Sequence, residues 1–452
     1  MKKIWKDTPM SDDLQFDALV IGAGAGGVSA AARLARAGYR TLLAESLERV
    51  GGRASTREVD GFLLNTGALA IESDGPIVEL YRDLGLELDL WIPKPQTALL
   101  WGKHVINVDP GGGLAGVVRT VVPKLLGTLG KVAPFFRPKD GQSTTDWLNR
   151  FTRSKRVHNL VDNVCGAFFA AAGDDLPAAV LLQSLTQGSS FKHIGYTVGG
   201  TIEVWKGLAG YVQGNGGAVW LNAPVKRLLF SSNGLVSGAE IEHDGQLVTV
   251  SADVTVSNVG PLNTVRLGGA DNFPGGYAGS VEKATDGAAI ITVHFASQKP
   301  LVQWPGLALA GKSRRLTYAG NFSAPEQKRI LRPGTWYLYS AASTPRPARG
   351  TFDLEKEKEL LLADIGDYFS GFARSMILDI DVTAHEWPAQ RAITGYDLPI
   401  ETPIANLWNV GDGVKQWGDA GTAACTRTAN RAVEQIIANF PPRGGPAKAA
   451  SA

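Results

Sequence analysis

"LVIGAGAGGVSAAARLARAGYRTLLAES", residues 19–46, decides the fold. Phe16–Ile21 is a short apolar, β-rich run that leads straight into Gly22-Ala23-Gly24-Ala25-Gly26-Gly27. The next stretch repeats small and apolar residues at helical spacing until Gly38 stops it. The pattern reads as strand, tight turn and helix, and "YRTLLAE" adds a second strand. Gly22 permits the turn, Gly24 lets the backbone approach a pyrophosphate, and Gly27 lets the helix lie close to its strand. The helix N-terminus then turns its unpaired amides and its dipole towards the phosphates. Glu45 closes the second strand 23 positions after Gly22, near the spacing of about 20 expected of a carboxylate that grips ribose hydroxyls. Ser46 follows it. The ligand this stretch predicts is a dinucleotide.

In a chain with 54 glycines the spacing also arises by chance, so context has to decide. Gly111, Gly113 and Gly116 in "DPGGGLAGVV" satisfy the same pattern, but Pro110 interrupts the approach. No acidic residue occurs from Gly111 to Lys139, so no ribose carboxylate stands at the right distance. That stretch reads as a glycine-rich lead into a helix.

With 452 residues, 44% hydrophobic and 19% charged, the chain has room for two or three domains. A formal net charge of +2 gives no chain-wide field for nucleic acid. No uncharged apolar run is long enough for a spanning helix. Two cysteines, Cys165 and Cys425, cannot build a disulfide framework or a four-thiolate site, and the six histidines are scattered, so no metal site is expected. The stretch "MKKIWKDTPMSDDLQ" lacks the apolar core of a signal peptide, which makes a cytoplasmic location the expectation, with Met10 as an alternative start.

After the second strand, "ESLERVGGRASTREVDGFLLNTGALAI" carries Gly51-Gly52-Arg53 and Gly67-Ala68. This spacing resembles the N-terminal signature of the flavoprotein superfamily that holds amine oxidases, protoporphyrinogen oxidases and phytoene desaturases. The resemblance implies that Arg53 lies against the pyrophosphate of FAD and that Thr66-Gly67-Ala68 passes beside the flavin. "GGTIEVWKGLAGYVQGNGGAVWLNAPVKRLLF" (199–230) resembles the same superfamily's middle segment, in which the residue matching Val225 meets the adenine. "NLWNVGDGVKQWGDAGTAACTRTANRAVEQI" (406–436) resembles its closing motif. That match implies Gly411-Asp412 at the ribityl-pyrophosphate and the amides of Gly421 and Thr422 at the pyrimidine edge. The implied cofactor is non-covalent FAD.

Three separated cofactor segments imply an α/β, Rossmann-like FAD-binding domain assembled from residues 14–105, 195–270 and 390–440. An α+β substrate domain with a mixed sheet and helices would then comprise 106–194 and 271–389, with 1–13 and 441–452 as flexible termini. "GAEIEHDGQLVTVSADVTVSN" alternates about turns like a meander of the first unit. "AAIITVHFAS", "RRLTYAG" and "TWYLYSAAS" supply strands to the second, and "DLEKEKELLLADIGDYFSGF" supplies a helix against them.

Aligning the closing motif's tryptophan with Trp417 puts Ala420 where amine oxidases carry one of two aromatic rings. The branch it most resembles is that of phytoene desaturase-like bacterial FAD oxidoreductases. The expected activity is removal of hydride to flavin N5 from a small apolar substrate, cyclic or isoprenoid, in a desaturase- or dehydrogenase-type reaction on CH–CH groups. The alternatives are an amine-oxidase-type oxidase and a redox-silent FAD-bound isomerase or binding protein. The basic, acid-free stretch 113–139 is a candidate for peripheral membrane contact, or else a pair of helices with a solvated basic face. For catalysis, His193 and Tyr196 ahead of the middle segment, His294 on a substrate-domain strand and Asp419 near the closing helix are candidates. Each can equally be a structural hydrogen-bonder, and Asp419 a helix cap.

Overall fold

A computed structural model describes residues 14–102, 104–109, 136–187 and 193–443. The decoy glycines and the stretch 113–135 lie outside these residues, as do Met10 and the terminal segments 1–13 and 444–452. Within the tail expected to be flexible, Arg443 is described and donates to Asp253.

The opening stretch folds as its glycines require. Leu14–Ile21 is a strand, Gly22 turns the chain at φ +88°, and Ala25–Arg36 is a helix. The strand pairs in parallel with Thr41–Ala44 on one side and Gln246–Ser257 on the other. Ala218–Trp220 extends the sheet beyond Thr41–Ala44, and Leu407–Asn409 pairs in parallel with the end of Gln246–Ser257. Antiparallel Val236–His243 and Val225–Phe230 complete seven strands, and form the expected meander.

Both faces of this sheet are covered, which is why its central strands read as continuous apolar runs rather than alternations. Ala18 and Val20 face a core shared by three helices, Ala25–Arg36, Ile202–Gly214 and Gly421–Asn439. Leu19 and Ile21 face Val265, Phe273 and Val281. Alanines at 30, 31 and 32, all fully buried, let the first helix approach the last closely enough for Ser29 Oγ to meet Thr426 Oγ1 at 3.2 Å.

The second sheet is also seven-stranded and mixed. Its order is Met376–Thr383, Ile290–Ser297, Tyr337–Ser343, Leu316–Asn321, Gly306–Ala310, Thr97–Trp101, His104–Asn107. Leu361, Ile365 and Phe369 of the helix Leu354–Tyr368 and the residue after it pack on Ile291, Val293 and Phe295. The strands expected from sequence are all there. Thr97–Asn107 joins this sheet as well, pairing in parallel with Gly306–Ala310. A boundary at 105 would cut that hairpin, because a strand tethered to the first unit by sequence is captured by an edge of the second.

Among the described residues no helix is long and apolar enough to cross a membrane, and no group of three or more His, Cys, Asp or Glu side chains could hold a metal ion.

Candidate functional site

Both sheets contribute to the wall of one cavity of about 500 Å³. From the first sheet and the loops and helices around it come Gly22, Gly24, Ala25, Glu45, Ser46, Gly52, Arg53, Gly67, Ala68, Val225, Asp412, Gly421 and Thr422, so the structure brings together nearly all the residues expected to hold the cofactor. Gly27 and Gly411 stand just behind this wall. A Cβ on Gly27 would sit 1.9 Å from the Gly22 carbonyl oxygen, so only glycine lets the helix lie this close to its strand.

Glu45 is buried and already engaged. One carboxylate oxygen accepts from the Ala23 amide at 2.6 Å, and the other from the Leu47 amide at 2.9 Å and Ser46 Oγ at 3.1 Å. Arg53 donates to Asp412 and to the Pro388 carbonyl oxygen. The second Asp412 oxygen accepts from the Arg391 amide at 2.9 Å. Burial would raise the Asp412 pKa, but Arg53, Arg391 and Lys415 outweigh it and hold the carboxyl well below the usual range. Burial, and then the like charge of Arg53, pull the Arg391 guanidinium down to about 10 against the opposing pull of Asp412.

These features fit FAD on grounds independent of any motif. The helices Ala25–Arg36 and Gly421–Asn439 both begin in the cavity wall, neither is capped by a side chain, and neither carries an acid in its first turn. Their first amides therefore face the cavity as free donors. Two largely but not fully buried guanidiniums share one carboxylate, since Lys415 has Asp397 as its own partner at 2.8 Å. The surplus positive charge suits a pyrophosphate.

Asn258 and Arg391 were not among the residues expected at the site. Asn258 follows the strand Gln246–Ser257, and its side chain fills the room left by Gly24, Gly26 and Gly411. A polar residue directly after a long apolar strand was the available signal. Arg391 sits in a loop, and no local pattern marks it.

The four catalytic candidates fare differently. His193 is half-exposed, 3.9 Å from Asp74, and off the wall. Tyr196 is buried between Trp91 and Phe322, again off the wall, and burial holds its phenol far above the ordinary value. Asp419 does not cap the closing helix, whose N-cap is Ala420. It pairs with Arg427 at 3.1 Å instead. His294 is fully buried one layer behind the wall, 3.4 Å from Asp381. Asp381 itself lines the cavity, as do Thr292 and Tyr318. None of the three stood out in the sequence, because strand partners far apart in the chain bring them together.

The second sheet and its neighbours give the rest of the wall an apolar character, through Leu69, Phe168, Ile194, Ile290, Leu307 and Leu309. Ala420 lies in this wall too.

Comparison with known proteins agrees with this arrangement. The chain is 25% identical to pseudooxynicotine dehydrogenase of a Pseudomonas species over 168 residues, 34% of each protein. It is 25% identical to all-trans-retinol 13,14-reductase of Macaca fascicularis over 297 residues, 55% of this chain and 48% of that protein. The chain thus spans between a third and a half of the length of these curated relatives. The solved structure of an oxidoreductase from Methanosarcina mazei shares the fold with a TM-score of 0.77 at 24% identity, over 93% of this chain and 100% of that one. The family model for flavin containing amine oxidoreductases matches residues 25–320, from the start of the nucleotide-binding helix to the heart of the second sheet. By that match the chain belongs to the flavin-containing amine oxidoreductase family, with FAD as its cofactor.

Proposed function

We propose that this oxidoreductase removes hydride from a C–H bond of a small apolar substrate, in a dehydrogenase- or desaturase-type reaction. The observation that carries the reading is the apolar part of the wall, where Phe168, Ile194, Leu307 and Leu309 line the same cavity as Gly67, Ala68, Gly421 and Thr422. Bound FAD supplies the hydride acceptor. The chain holds the cofactor and presses the donor against it, and orientation is most of what such chemistry asks of a protein. In this reading Glu45 meets the ribose, Val225 the adenine, and Arg53 with Arg391 the pyrophosphate. Gly67, Ala68, Gly421 and Thr422 flank the flavin. The apolar wall excludes water from the reacting bond. The relative named all-trans-retinol 13,14-reductase, whose name states a reaction of retinol, supports an apolar substrate.

A second reading, an amine donor, is favoured by one observation: the carboxylates of Glu72 and Asp381 and the rings of Phe168 and Tyr318 also line the cavity. Anaerobic stopped-flow reduction with retinol, cyclohexanone and benzylamine separates the two. We expect saturable reduction by a non-amine donor and slow reduction by benzylamine, because Ala420 offers no ring to flank a nitrogen. Fast, saturable reduction by benzylamine alone would replace the first reading with the second.

A further inference from the structure

Three charged side chains and a histidine form a cluster at the second sheet's part of the wall, and nothing in the cofactor reading uses them. Strand Met376–Thr383 runs antiparallel to Ile290–Ser297 and places Asp381 directly opposite Thr292. Both residues line the cavity. Arg57, on the strand Ser55–Val59, donates to Asp381 Oδ1 at 2.6 Å and pairs with Asp379 as well. From the other side His294 Nε2 stands 3.4 Å from Asp381 Oδ2, while its Nδ1 meets Ser340 Oγ at 2.7 Å. His294 is fully buried, whereas the Asp381 side chain keeps 25% of its exposure.

We infer that Asp381 accepts the proton released when hydride leaves the substrate, and that His294 and Arg57 are the residues that position it. The inference rests on the hydride-removing function proposed above. In a donor H–C–X–H, where X is carbon, nitrogen or oxygen, the C–H bond breaks and its electron pair leaves with the hydrogen as hydride to FAD. The X–H bond breaks, its proton passes to a carboxylate oxygen of Asp381, and its electron pair forms the C=X bond.

Other groups in the wall suit this task less well. Glu45 and Asp412 are committed to the backbone and the arginine of the nucleotide-binding segments, and Glu72 lies beside Arg427. The Tyr318 phenol is pushed up by burial to about 12 and stays protonated. Asp381 is ready to accept. Burial would raise its pKa, but the nearby His294 and the hydrogen bond from Arg57 outweigh that and hold the carboxyl below its ordinary value. Burial holds His294 below its ordinary value of 6.5 against the pull of Asp381, and Arg329 and Arg57 add to the effect of burial. The imidazole is therefore neutral and can donate to the carboxylate without itself bringing charge.

The test uses FAD-loaded enzyme, reduced anaerobically by retinol, cyclohexanone and benzylamine between about pH 3 and 9, a window that reaches below the ordinary carboxylate value. Asp381→Asn should lower the reduction rate constant by about 10²- to 10⁴-fold while FAD content stays that of the wild type. Asp381→Glu should recover part of the rate, and formate should restore part of it to Asp381→Ala. His294→Gln removes a neighbour that helps keep Asp381 acidic, so the acid limb of the rate profile should move to higher pH, a change that a merely structural histidine would not produce. Independently of turnover, nitrogen NMR of His294 should show its titration moving to still lower pH in Asp381→Asn. Wild-type reduction rates in Asp381→Asn, or a His294 titration indifferent to that substitution, would overturn the assignment. If none of the three donors reduces the wild-type flavin, the proposed function itself fails and this role falls with it, a result distinct from equal reduction of both proteins.

Discussion

Gly27→Ala is expected to give a protein that no longer retains FAD through gel filtration and melts well below the wild type. The added Cβ would lie 1.9 Å from the Gly22 carbonyl oxygen and 3.0 Å from the Asn258 side chain. The first contact is with backbone, which cannot rotate away. The helix has to withdraw from its strand by more than an ångström, carrying with it the amides that face the cavity. Overpacking of this kind costs about 1–3 kcal/mol, and more where the neighbour is rigid. Gly210→Ala is the matching control. It lies on the exposed face of the helix Ile202–Gly214 with nothing near the new methyl group, and alanine there should stabilise by about 0.5–1 kcal/mol. Full FAD occupancy and an unchanged melting temperature in Gly27→Ala would mean that the close helix–strand approach is not what shapes the phosphate site.

The second large effect is expected from Asp412→Ala. Asp412 is the carboxylate shared by Arg53 and the Arg391 backbone, and its side chain is 10% exposed. Removing it leaves a largely buried guanidinium with only the Pro388 and Ala389 carbonyls as partners, and breaking a fully buried pair costs about 3–5 kcal/mol, which sets the upper end expected here. The pH dependence follows from the sign of the shift. The native carboxyl is held well below its ordinary value of 3.8, so the unfolded chain takes up the proton first as pH falls. The stability that Asp412 contributes is thus fully present above that ordinary value and is lost only as pH drops towards the native one. Denaturant unfolding of the two proteins should show a constant gap at neutral and mildly acidic pH that narrows only in strong acid. A gap below about 1 kcal/mol at neutral pH would place Asp412 in the class of exposed pairs and remove it from the centre of the site.

What the sequence disclosed about this site follows from how its parts are spaced along the chain. Gly22, Gly24 and Glu45 belong to one strand–helix–strand unit, where each residue type is dictated by a local need: a turn, a close approach or a carboxylate. Local needs leave local patterns. Asp412 and Gly421 were readable for the same reason, at the end of an apolar strand and the start of a helix. Asp381 and Thr292 meet only because two strands some ninety residues apart pair in one register, and no short pattern encodes a register. His193 and Tyr196 illustrate the converse error. Chemically capable residues beside a cofactor segment look like site residues, yet the strand Ile194–Thr197 sends the tyrosine into a core between Trp91 and Phe322. The placement of Thr97–Asn107 in the second sheet was hidden likewise, since its parallel partner Gly306–Ala310 lies far along the chain.

Three separated segments are expected to converge on a single non-covalently held FAD. Acid precipitation of the purified protein, followed by chromatography of the supernatant and absorbance of the pellet, tests it most directly. The account predicts FAD in the supernatant, equimolar with the chain, and a colourless pellet. FMN or a nicotinamide nucleotide in the supernatant, or flavin remaining with the pellet, would contradict it.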